Sequence, residues 1–385
     1  MSSGKLKRFI QGHRGLLGRI RAACAQEKDI IWFHVASFGE FEEARPVIEA
    51  TRARFPERKI LLTVFSPTVY VPMQHYDKVD WVFYLPLDTR CNVRRFLDAV
   101  RPVKAIFTIT DYWPNLLGEL RRRQIDTYII SVRIEPDSHH LKWWDFNYRK
   151  IFRHCYKTVM VQNAQSREIL LKLGVPDVRV TGDPRMDRVL AISAEKWEDS
   201  IVKEWCGGKK VFVAGSTYAP EHQMLLGIAN RHPEEKFLIV PHEIDESKIQ
   251  ALLAGSQHGA TRYTDFHPGA QILVADTVGI LSRLYRYGYA AYVGGCFTEG
   301  APHSVIEPAS YGMPVAFGPA YQRDHHCKDL IQAGAGVSIA NAGELEAFLL
   351  QCRGDYLEKA SAAARDYCTR SAGATGQIMD IIFGD

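Results

Sequence analysis

A carboxylate follows the first strand-like stretch of the chain, at a position where it could accept a proton. Residues 30–34 form an apolar run typical of a buried strand, and a helical pattern begins at Phe41, so Glu40 lies at a helix start. Its side chain could act as a general base toward a substrate hydroxyl group, or it could simply interact with the helix dipole. Ser37 and Gly39 lie in the same turn. We predict that they contact an acceptor or a sugar.

Two more charged residues follow later strand-like runs. Asp111 comes after residues 105–109 and shortly before Pro114, so it could either cap a helix that begins there or contact a substrate. Arg133 comes after residues 127–131, and its guanidinium group suits a carboxylate or a phosphate. Parallel strands present their carboxyl ends at one edge of a sheet. We therefore expect both side chains to join Glu40 in an acceptor- or sugar-binding site.

In the second half of the chain, small or polar residues follow four strand-like runs. Helical spacing begins at Pro302 and ends at Gly312, and such a helix start would offer unpaired amide groups to a phosphate. The carboxylate of Glu307, one turn into this helix, could accept hydrogen bonds from a ribose. His242 and His303 could line a base pocket or be ordinary loop residues. The predicted nucleotide-binding residues are Gly215, Ser216, Thr217, Pro241, His242, Glu243, Gly279, Gly295, His303, Ser304 and Glu307.

The elements that must position these residues alternate between strand-like and helical segments. The strand-like runs are 30–34, 60–65, 81–85, 105–109, 127–131 and 158–161, followed by 211–214, 237–240, 272–275, 290–293, 315–317 and 336–339. This pattern predicts an α/β fold with two doubly wound domains. A segment with Gly and Pro at 182–195, immediately after a short strand-like piece, suggests the hinge, which gives domains 1–185 and 186–385. We expect the two sheets to face a central cleft, and an Ala-rich helix after Gly354 could pack back on the first domain.

Composition limits the classes of function. The 385 residues are 46% hydrophobic and 24% charged, typical of a soluble globular protein, and the net charge of +4 is too small to indicate a nucleic-acid partner. Eight cysteines without CxxC pairs, and no signal-peptide pattern, suggest a reducing cytosolic environment without disulfides or zinc. No DxD-like carboxylate cluster follows the strands, so we expect the chemistry to need no metal and no other cofactor.

The N-terminus is basic and partly apolar. Its six basic residues, which all precede the first acidic residue, Glu27, are Lys5, Lys7, Arg8, Arg14, Arg19 and Arg21. Leu6, Ile10, Leu17 and Ile20 recur at roughly helical spacing among them. This pattern could bind an anionic membrane surface, or it could belong to a solvated, frayed terminus. Residues 139–150 mix aromatic and basic side chains and could touch lipid or pack in the core.

Four motifs in this order resemble the 3-deoxy-D-manno-octulosonic acid (Kdo) transferase family. HVASFGEFEEARP is similar to the acceptor-side glutamate motif of that family, and DYWPN is similar to its acidic-x-W-P-N motif. GDPRMDRV is similar to its hinge motif, and VGGCFTEGAPHSVIEPASYGMPVAFGP to its donor motif. The family usually has Glu in place of Asp111, Asn in place of Ser304, and often a hydrophobic N-terminal anchor that we do not find here.

The resemblance implies a fold, a reaction and partners. It implies the GT-B fold and an inverting transfer of Kdo from CMP-Kdo to a lipid A precursor in lipopolysaccharide biosynthesis, at the cytoplasmic face of the inner membrane. By the same resemblance Glu40 corresponds to the general base, and Ser304 and Glu307 to residues associated with CMP-Kdo. Two alternatives remain open: a nucleotide-sugar epimerase of the same architecture, and a non-catalytic relative that binds a sugar nucleotide.

Overall fold

The chain forms two compact α/β units. The computed structural model describes residues 3–109, 111–138, 146–297 and 301–384. The first unit comprises Met1–Asp187 and Ala372–Asp385, and the second comprises Arg188–Ser371. Within the described residues each unit contains a sheet of seven parallel strands. The predicted α/β fold class is confirmed. The aromatic and basic stretch starting at residue 139 lies outside the described residues up to residue 145.

The first sheet has the strand order β3-β2-β1-β4-β5-β6-β7. Its strands are β1 Ile31–Val35, β2 Ile60–Val64, β3 Trp81–Tyr84, β4 Lys104–Thr108, β5 Asp126–Val132, β6 Thr158–Val161 and β7 Val178–Val180. Its helices are α1 Ser3–His13, α2 Leu16–Cys24, α3 Phe38–Arg54, α4 Pro67–Met73, α5 Arg90–Val100, α6 Pro114–Arg122, α7 Phe146–His154 and α8 Ala164–Lys172. Every residue of β1 and β2 is buried, as expected for a parallel sheet covered on both faces. The order reverses between β1 and β4, and ligands bind near such a reversal in open α/β sheets.

The second sheet repeats this design with the strand order β10-β11-β9-β8-β12-β13-β14. Its strands are β8 Val211–Thr217, β9 Phe237–Pro241, β10 Ala260–Arg262, β11 Ile272–Val274, β12 Gly288–Val293, β13 Val315–Phe317 and β14 Gly336–Ser338. The remaining helices are α9 Pro184–Ala194, α10 Ser200–Cys206, α11 Ala219–Arg231, α12 Glu246–Gly255, α13 Leu281–Leu284, α14 Ile306–Ser310, α15 His325–Ala333, α16 Ala342–Gln351, α17 Asp355–Arg370 and α18 Ala374–Phe383. Here the order reverses between β8 and β12, which lead into the predicted nucleotide-binding loops.

The C-terminal segment divides between the two units. Helix α17 packs on α14, α15 and α16 in the second unit, whereas α18 packs on α3 in the first. The Thr51 hydroxyl group donates to Sδ of Met379 at 3.4 Å across that contact. Asp187 accepts hydrogen bonds from the amides of Gly373 and Thr375 at 2.5 and 2.6 Å, and so fixes the start of α18. The chain end is thereby held against the helix that carries Glu40.

Three expectations about elements need correction. Strand β10 was not predicted, because its three residues are too few for a periodic pattern, and β7 was recognised only as a strand-like piece. The helix expected from Pro302 begins at Ile306, because the His303 amide donates to the carbonyl oxygen of Gly294 at 3.1 Å and folds that segment back as a loop. Ile20 is buried in the core of the first unit and does not share a surface with exposed Leu6 and Ile10.

The basic N-terminus forms helices α1 and α2, which are separated at Gly15. Gly15 has a φ of 62°, a left-handed conformation that glycine adopts without strain. Leu16 and Ile20 anchor α2 in the core, and Leu6 and Ile10 on α1 are 48% and 50% exposed. In the part of the chain that the structure describes, we find no helix with the length and apolar character needed to span a bilayer.

Candidate functional site

Glu40 lies in the first turn of α3, where it interacts with the backbone that leads into the helix. The Ser37 hydroxyl group accepts a hydrogen bond from the Glu40 amide at 3.3 Å, and Oε2 of Glu40 accepts one from the Ala36 amide at 2.5 Å. This reciprocal arrangement resembles a capping box. Burial raises the pKa of the Glu40 carboxyl group, and the hydrogen bonds from the amides of Ala36 and Ser37 oppose that rise. The side chain is half-buried, so it remains partly open to solvent while it caps the helix.

Asp111 does not cap α6, so the capping alternative for this residue is wrong. Asp88 does so instead, because its two carboxylate oxygens accept hydrogen bonds from the amides of Asn115 and Leu116 at 3.0 and 2.9 Å. The Asp111 side chain is only 4% exposed, and its Oδ1 accepts a hydrogen bond from Nε1 of Trp113 at 3.0 Å. Burial, and then the nearby charge of Glu40, raise the pKa of Asp111 well above its usual range. The structure thus brings Asp111 and Glu40 together at the reversal point of the first sheet.

Arg133 belongs to a second group of polar and charged residues, which follow β5, β6 and β7. Its Nε lies 3.8 Å from Oε1 of Glu135, and its side chain is 28% exposed. The charge of Arg133 also acts on Glu43, a buried residue of α3. Arg133 therefore lies on the same side of the first sheet as Glu40. Its predicted contact with a sugar remains a prediction, as do those of Ser37, Gly39 and Asp111.

Glu43 and its partners were not predicted from the sequence as site residues. Oε2 of Glu43 accepts a hydrogen bond from Nε2 of Gln162 at 2.9 Å, and Oε1 lies 3.6 Å from Nη2 of Arg185. Arg185 also forms a short ion pair with Asp183, at 2.6 Å. Burial raises the pKa of Glu43 to about 7, although Arg185 opposes that rise. Glu43 could have been singled out because it lies three residues after Glu40 on the same helix, but nothing local marks it as buried.

Backbone hydrogen bonds join the loops of the second unit that follow β8, β9 and β12. The His242 amide donates to the Thr217 carbonyl oxygen at 2.9 Å, and the Gly294 amide donates to the Gly215 carbonyl oxygen at 3.0 Å. Ser216, between those two acceptors, has a φ of 53°, which is uncommon for a residue with a side chain. The predicted residues of these three strand ends therefore lie together.

Three aromatic rings stack beside these loops. The rings of His242 and His303 are 4.3 Å apart and nearly parallel, and the Tyr218 ring lies 4.9 Å from His242. The Tyr218 hydroxyl group and Nε2 of His303 are within hydrogen-bonding distance, at 3.0 Å. Burial, and then the neighbouring His242, lower the pKa of His303 to about 4, so its ring is neutral at pH 7. The outer faces of these stacked rings are surfaces on which a nucleobase could stack.

Glu221 organises these loops and was also missed. Its Oε1 accepts hydrogen bonds from the Tyr292 hydroxyl group and the Gly295 amide at 2.8 and 3.1 Å. Its Oε2 accepts one from the Tyr218 amide at 2.7 Å. A side chain at Gly294 would collide with the Ser216 carbonyl oxygen and with Glu221 itself, which explains glycine there. The spacing of Tyr218 and Glu221 matches a capping box, and that was the available signal.

Glu307 lies in the first turn of the short helix α14, near the end of β8. Burial, and then the charge of Glu307, raise the pKa of Tyr285, and the Tyr285 hydroxyl group occupies the space that a side chain at Gly215 would need. Glu307, Tyr285 and Gly215 are thus neighbours. Ser304 is half-buried just before this helix. The backbone at 302–305, which was expected to bind a phosphate as a helix start, is a loop instead, because the helix has only five residues and begins later. The His303 amide in this loop is already bonded.

The other predicted nucleotide-binding residues lie at the margins of this group. Gly279 has a φ of 86° and follows Val278, whose side chain is 79% exposed. Pro241 is buried at the end of β9. Glu243 pairs with Lys248 of α12 at 3.2 Å. Among the described residues, no group of three or more His, Cys, Asp or Glu side chains is arranged to hold a metal ion. That no metal or other cofactor is needed remains a prediction.

Comparisons with known proteins agree in both sequence and fold. Residues 11–188 match the family described as 3-deoxy-D-manno-octulosonic-acid transferase (kdotransferase). A 3-deoxy-D-manno-octulosonic acid transferase from Aquifex aeolicus is 28% identical over 83% of this chain and 84% of its own length. A bifunctional glycosyltransferase/methyltransferase from Fusobacterium nucleatum is 25% identical over 83% of this chain, and the match spans about half of that relative, 52%.

A solved structure has a similar fold. The UDP-GlcNAc 2-epimerase from Neisseria meningitidis, bound to UDP-GlcNAc, superposes with a TM-score of 0.66. That match covers 92% of this chain and 100% of the epimerase, at 14% identity, so it informs the fold alone. Together with the two parallel sheets, this likeness confirms that the fold class is GT-B, with two Rossmann-like domains.

Proposed function

Because the chain belongs to the 3-deoxy-D-manno-octulosonic acid transferase family and is a glycosyltransferase, we propose that it transfers Kdo from CMP-Kdo to a lipid A precursor. The observation that carries this proposal is the half-buried carboxylate of Glu40 at the carboxyl end of β1, next to the reversal point of the first sheet. A carboxylate in that place can reach a substrate bound at the sheet edge and accept its proton.

The proposed reaction is a direct displacement. Glu40 takes the proton from an acceptor hydroxyl group, and the oxygen forms a bond to the anomeric carbon of Kdo. The bond from that carbon to the phosphate oxygen breaks, and CMP leaves with the electron pair. One displacement at this carbon inverts its configuration. Arg133, whose guanidinium group is partly exposed on the same unit, is proposed to hold the carboxylate of the sugar.

The donor nucleotide is proposed to bind the joined loops of the second unit. The stacked rings of His242 and His303 offer a surface for the base, and Glu307 offers a carboxylate for the ribose hydroxyl groups. Ser304 and the backbone near Gly215 and Gly295 would face the phosphate. The remaining predicted contacts are Ser216, Thr217, Pro241, Glu243 and Gly279. We propose that this arrangement works without a divalent ion.

We also propose that the protein acts as a peripheral protein at the cytoplasmic face of the inner membrane. Helix α1 supports this, because Leu6 and Ile10 are half-exposed at i, i+4 spacing and Lys7 and Arg8 lie exposed between them. An apolar pair flanked by basic side chains favours an anionic lipid surface. A lipid acceptor would be presented at that surface.

The experiment is product analysis with purified protein, by mass spectrometry for the acceptor and by proton NMR for the nucleotide sugar, because epimers have the same mass. With CMP-Kdo and a lipid A precursor together, we expect a product heavier than the acceptor by one or more Kdo residues, and CMP in equal amount. CMP-Kdo alone should give no epimerised nucleotide sugar. An unchanged acceptor beside an isomerised nucleotide sugar would support the epimerase alternative, and no change in either substrate would support a non-catalytic relative.

A further inference from the structure

His34 and Asp111 form a buried polar pair beneath Glu40. His34 is the fourth residue of β1 and is fully buried, and Asp111 follows β4 with its side chain 4% exposed. Nε2 of His34 and Oδ2 of Asp111 each lack a hydrogen-bond partner among the described residues. Two buried polar atoms without partners are costly, because each has lost its hydrogen bonds to water. Their neighbourhood calls for a physical explanation.

The hydrogen bonds of His34 define which ring nitrogen carries its proton. Nδ1 lies 3.0 Å from the Thr63 carbonyl oxygen and 2.8 Å from the Thr63 hydroxyl oxygen. A proton on Nδ1 satisfies the carbonyl oxygen, which only accepts, and it leaves the Thr63 hydroxyl group to donate to the Phe33 carbonyl oxygen at 3.5 Å. Burial lowers the pKa of His34 to about 3, so the ring carries one proton at neutral pH. Nε2 is therefore an unprotonated nitrogen with a lone pair, and it faces Asp111.

Asp111 supplies the matching donor if its carboxyl group is protonated. Its Oδ1 lies 3.8 Å from Nε2 of His34, and a small rotation of the Asp111 side chain would bring a carboxyl oxygen to hydrogen-bonding distance. An ionised Asp111 could not donate, and it would place a second negative charge near the carboxylate of Glu40. A neutral carboxyl group satisfies both buried atoms with one proton.

The backbone that delivers Asp111 is strained. Ile109, two residues earlier, has a φ of 63°, which is a rare conformation for a β-branched residue. Its amide donates to the Ile130 carbonyl oxygen at 2.9 Å, so the neighbouring strand holds this conformation. Strained backbone of this kind clusters at functional sites. The strained residue lies two positions before buried Asp111.

We propose that Asp111 and His34 share one proton as an uncharged pair, and that this pair positions Glu40 and keeps it ionised as the base. Two adjacent carboxyl groups cannot easily both ionise, so the fully buried member keeps the proton and the half-buried member loses it. The titratable groups facing Asp111 are Glu40 from α3, His34 from β1 and Tyr156, whose hydroxyl group donates to the Asp111 carbonyl oxygen at 3.0 Å. This inference rests on the proposed role of Glu40.

Infrared difference spectroscopy locates the shared proton without any substrate. With carboxyl-labelled aspartate at pH 8, the wild-type protein should show the stretch of a protonated carboxyl group, which Asp111→Asn removes and Glu40→Gln keeps. Nitrogen NMR of the histidines should show His34 protonated at Nδ1 and unchanged between pH 6 and 8. An ionised Asp111, or a proton on Nε2 of His34, would overturn the pairing.

Kinetics test the effect of the pair on Glu40. Asp111→Leu removes the donor, whereas Asp111→Asn keeps a neutral donor of the same shape, so the Asn variant should retain at least about tenfold more kcat than the Leu variant. The acidic limb of kcat/KM should move between these variants, which a purely structural role would not cause. Equal kcat values in two folded variants would overturn the inference. If Glu40→Gln turns over normally, the base assignment fails, while the infrared result still reports on the pair.

Discussion

The carboxylate of Glu40 accepts a hydrogen bond at the start of α3 and also lies near buried Asp111. The sequence predicted Glu40 from its place after a strand, and the hydrogen bonds of its neighbours now show how it is held. The sequence could not predict His34 as a partner of Asp111, because a histidine inside an apolar run resembles an ordinary core residue. Only the register of β1 beside β4 brings His34 to Asp111.

At the same scale, Glu307 offers a test of nucleotide binding. Glu307→Ala removes a carboxylate proposed to accept hydrogen bonds from ribose, so affinity for CMP should fall by about tenfold, the loss of a hydrogen bond to a charged group. Isothermal titration calorimetry measures this directly. Glu198→Ala is the control, because Glu198 is 72% exposed and pairs only with Lys203 among the ion pairs that the structure describes. Equal affinities of both variants would remove Glu307 from the ribose site.

At the scale of elements, Glu43 couples α3 to β6 and α9. Its pKa of about 7 in the folded protein lies above the ordinary value of 4.5, so the folded state binds more protons than the unfolded state between those pH values. The contribution of Glu43 to the free energy of unfolding therefore falls as pH rises through this window. A side chain at position 43 that cannot ionise should remove this decrease in the free energy of unfolding.

Urea unfolding of Glu43→Gln at pH 5 and pH 8 measures the effect. The free energy of unfolding of this variant, relative to wild type, should be higher at pH 8 than at pH 5 by about 2 kcal/mol. Glu57→Gln, in an exposed loop, should show the same small difference at both pH values. If the Glu43 variant behaves as the Glu57 variant does, Glu43 is ionised in the folded protein across this range.

Helix α1 is the element on which the membrane proposal depends. Lys7→Gln with Arg8→Gln should weaken flotation with anionic vesicles, by about 1 kcal/mol for each charge removed, and the wild-type interaction should weaken as salt rises. Lys172→Gln with Arg179→Gln is the matched control, since these residues are also exposed, at 73% and 63%. Equal loss in both double variants would indicate that only net charge matters.

Longer elements were predictable from sequence, and short ones were not. Buried strands such as β1 and β12 are marked by apolar runs, whereas β10 has only three residues. The segment at 302–305 has helical spacing, but its long-range bond from His303 to Gly294 prevents a helix there. Glu43 was missed for the same reason, because its partners lie far away in the sequence. The bond of Glu221 to the Tyr218 amide is local, whereas its bonds to Tyr292 and Gly295 are not.

At the scale of the whole molecule, the proposed base lies in the first unit and the proposed nucleotide-binding loops lie in the second. The alternation of strands and helices was enough to predict two Rossmann-like domains, because each repeat of the pattern is local. The end of the chain was less predictable, since α17 stays with the second unit and α18 returns to α3. That division follows from Asp187, which holds the start of α18.

The most direct test of the account is single-turnover transfer from CMP-Kdo to a lipid A precursor, with wild-type protein, Glu40→Gln and Glu42→Gln. Gln at position 40 keeps an oxygen for the Ala36 amide but is not a base, so we predict a rate lower by about 10²–10⁴-fold with unchanged CMP binding. Glu42, which pairs with Arg45 on the same helix, should tolerate the change. A Glu40→Gln rate equal to that of wild type would contradict the account.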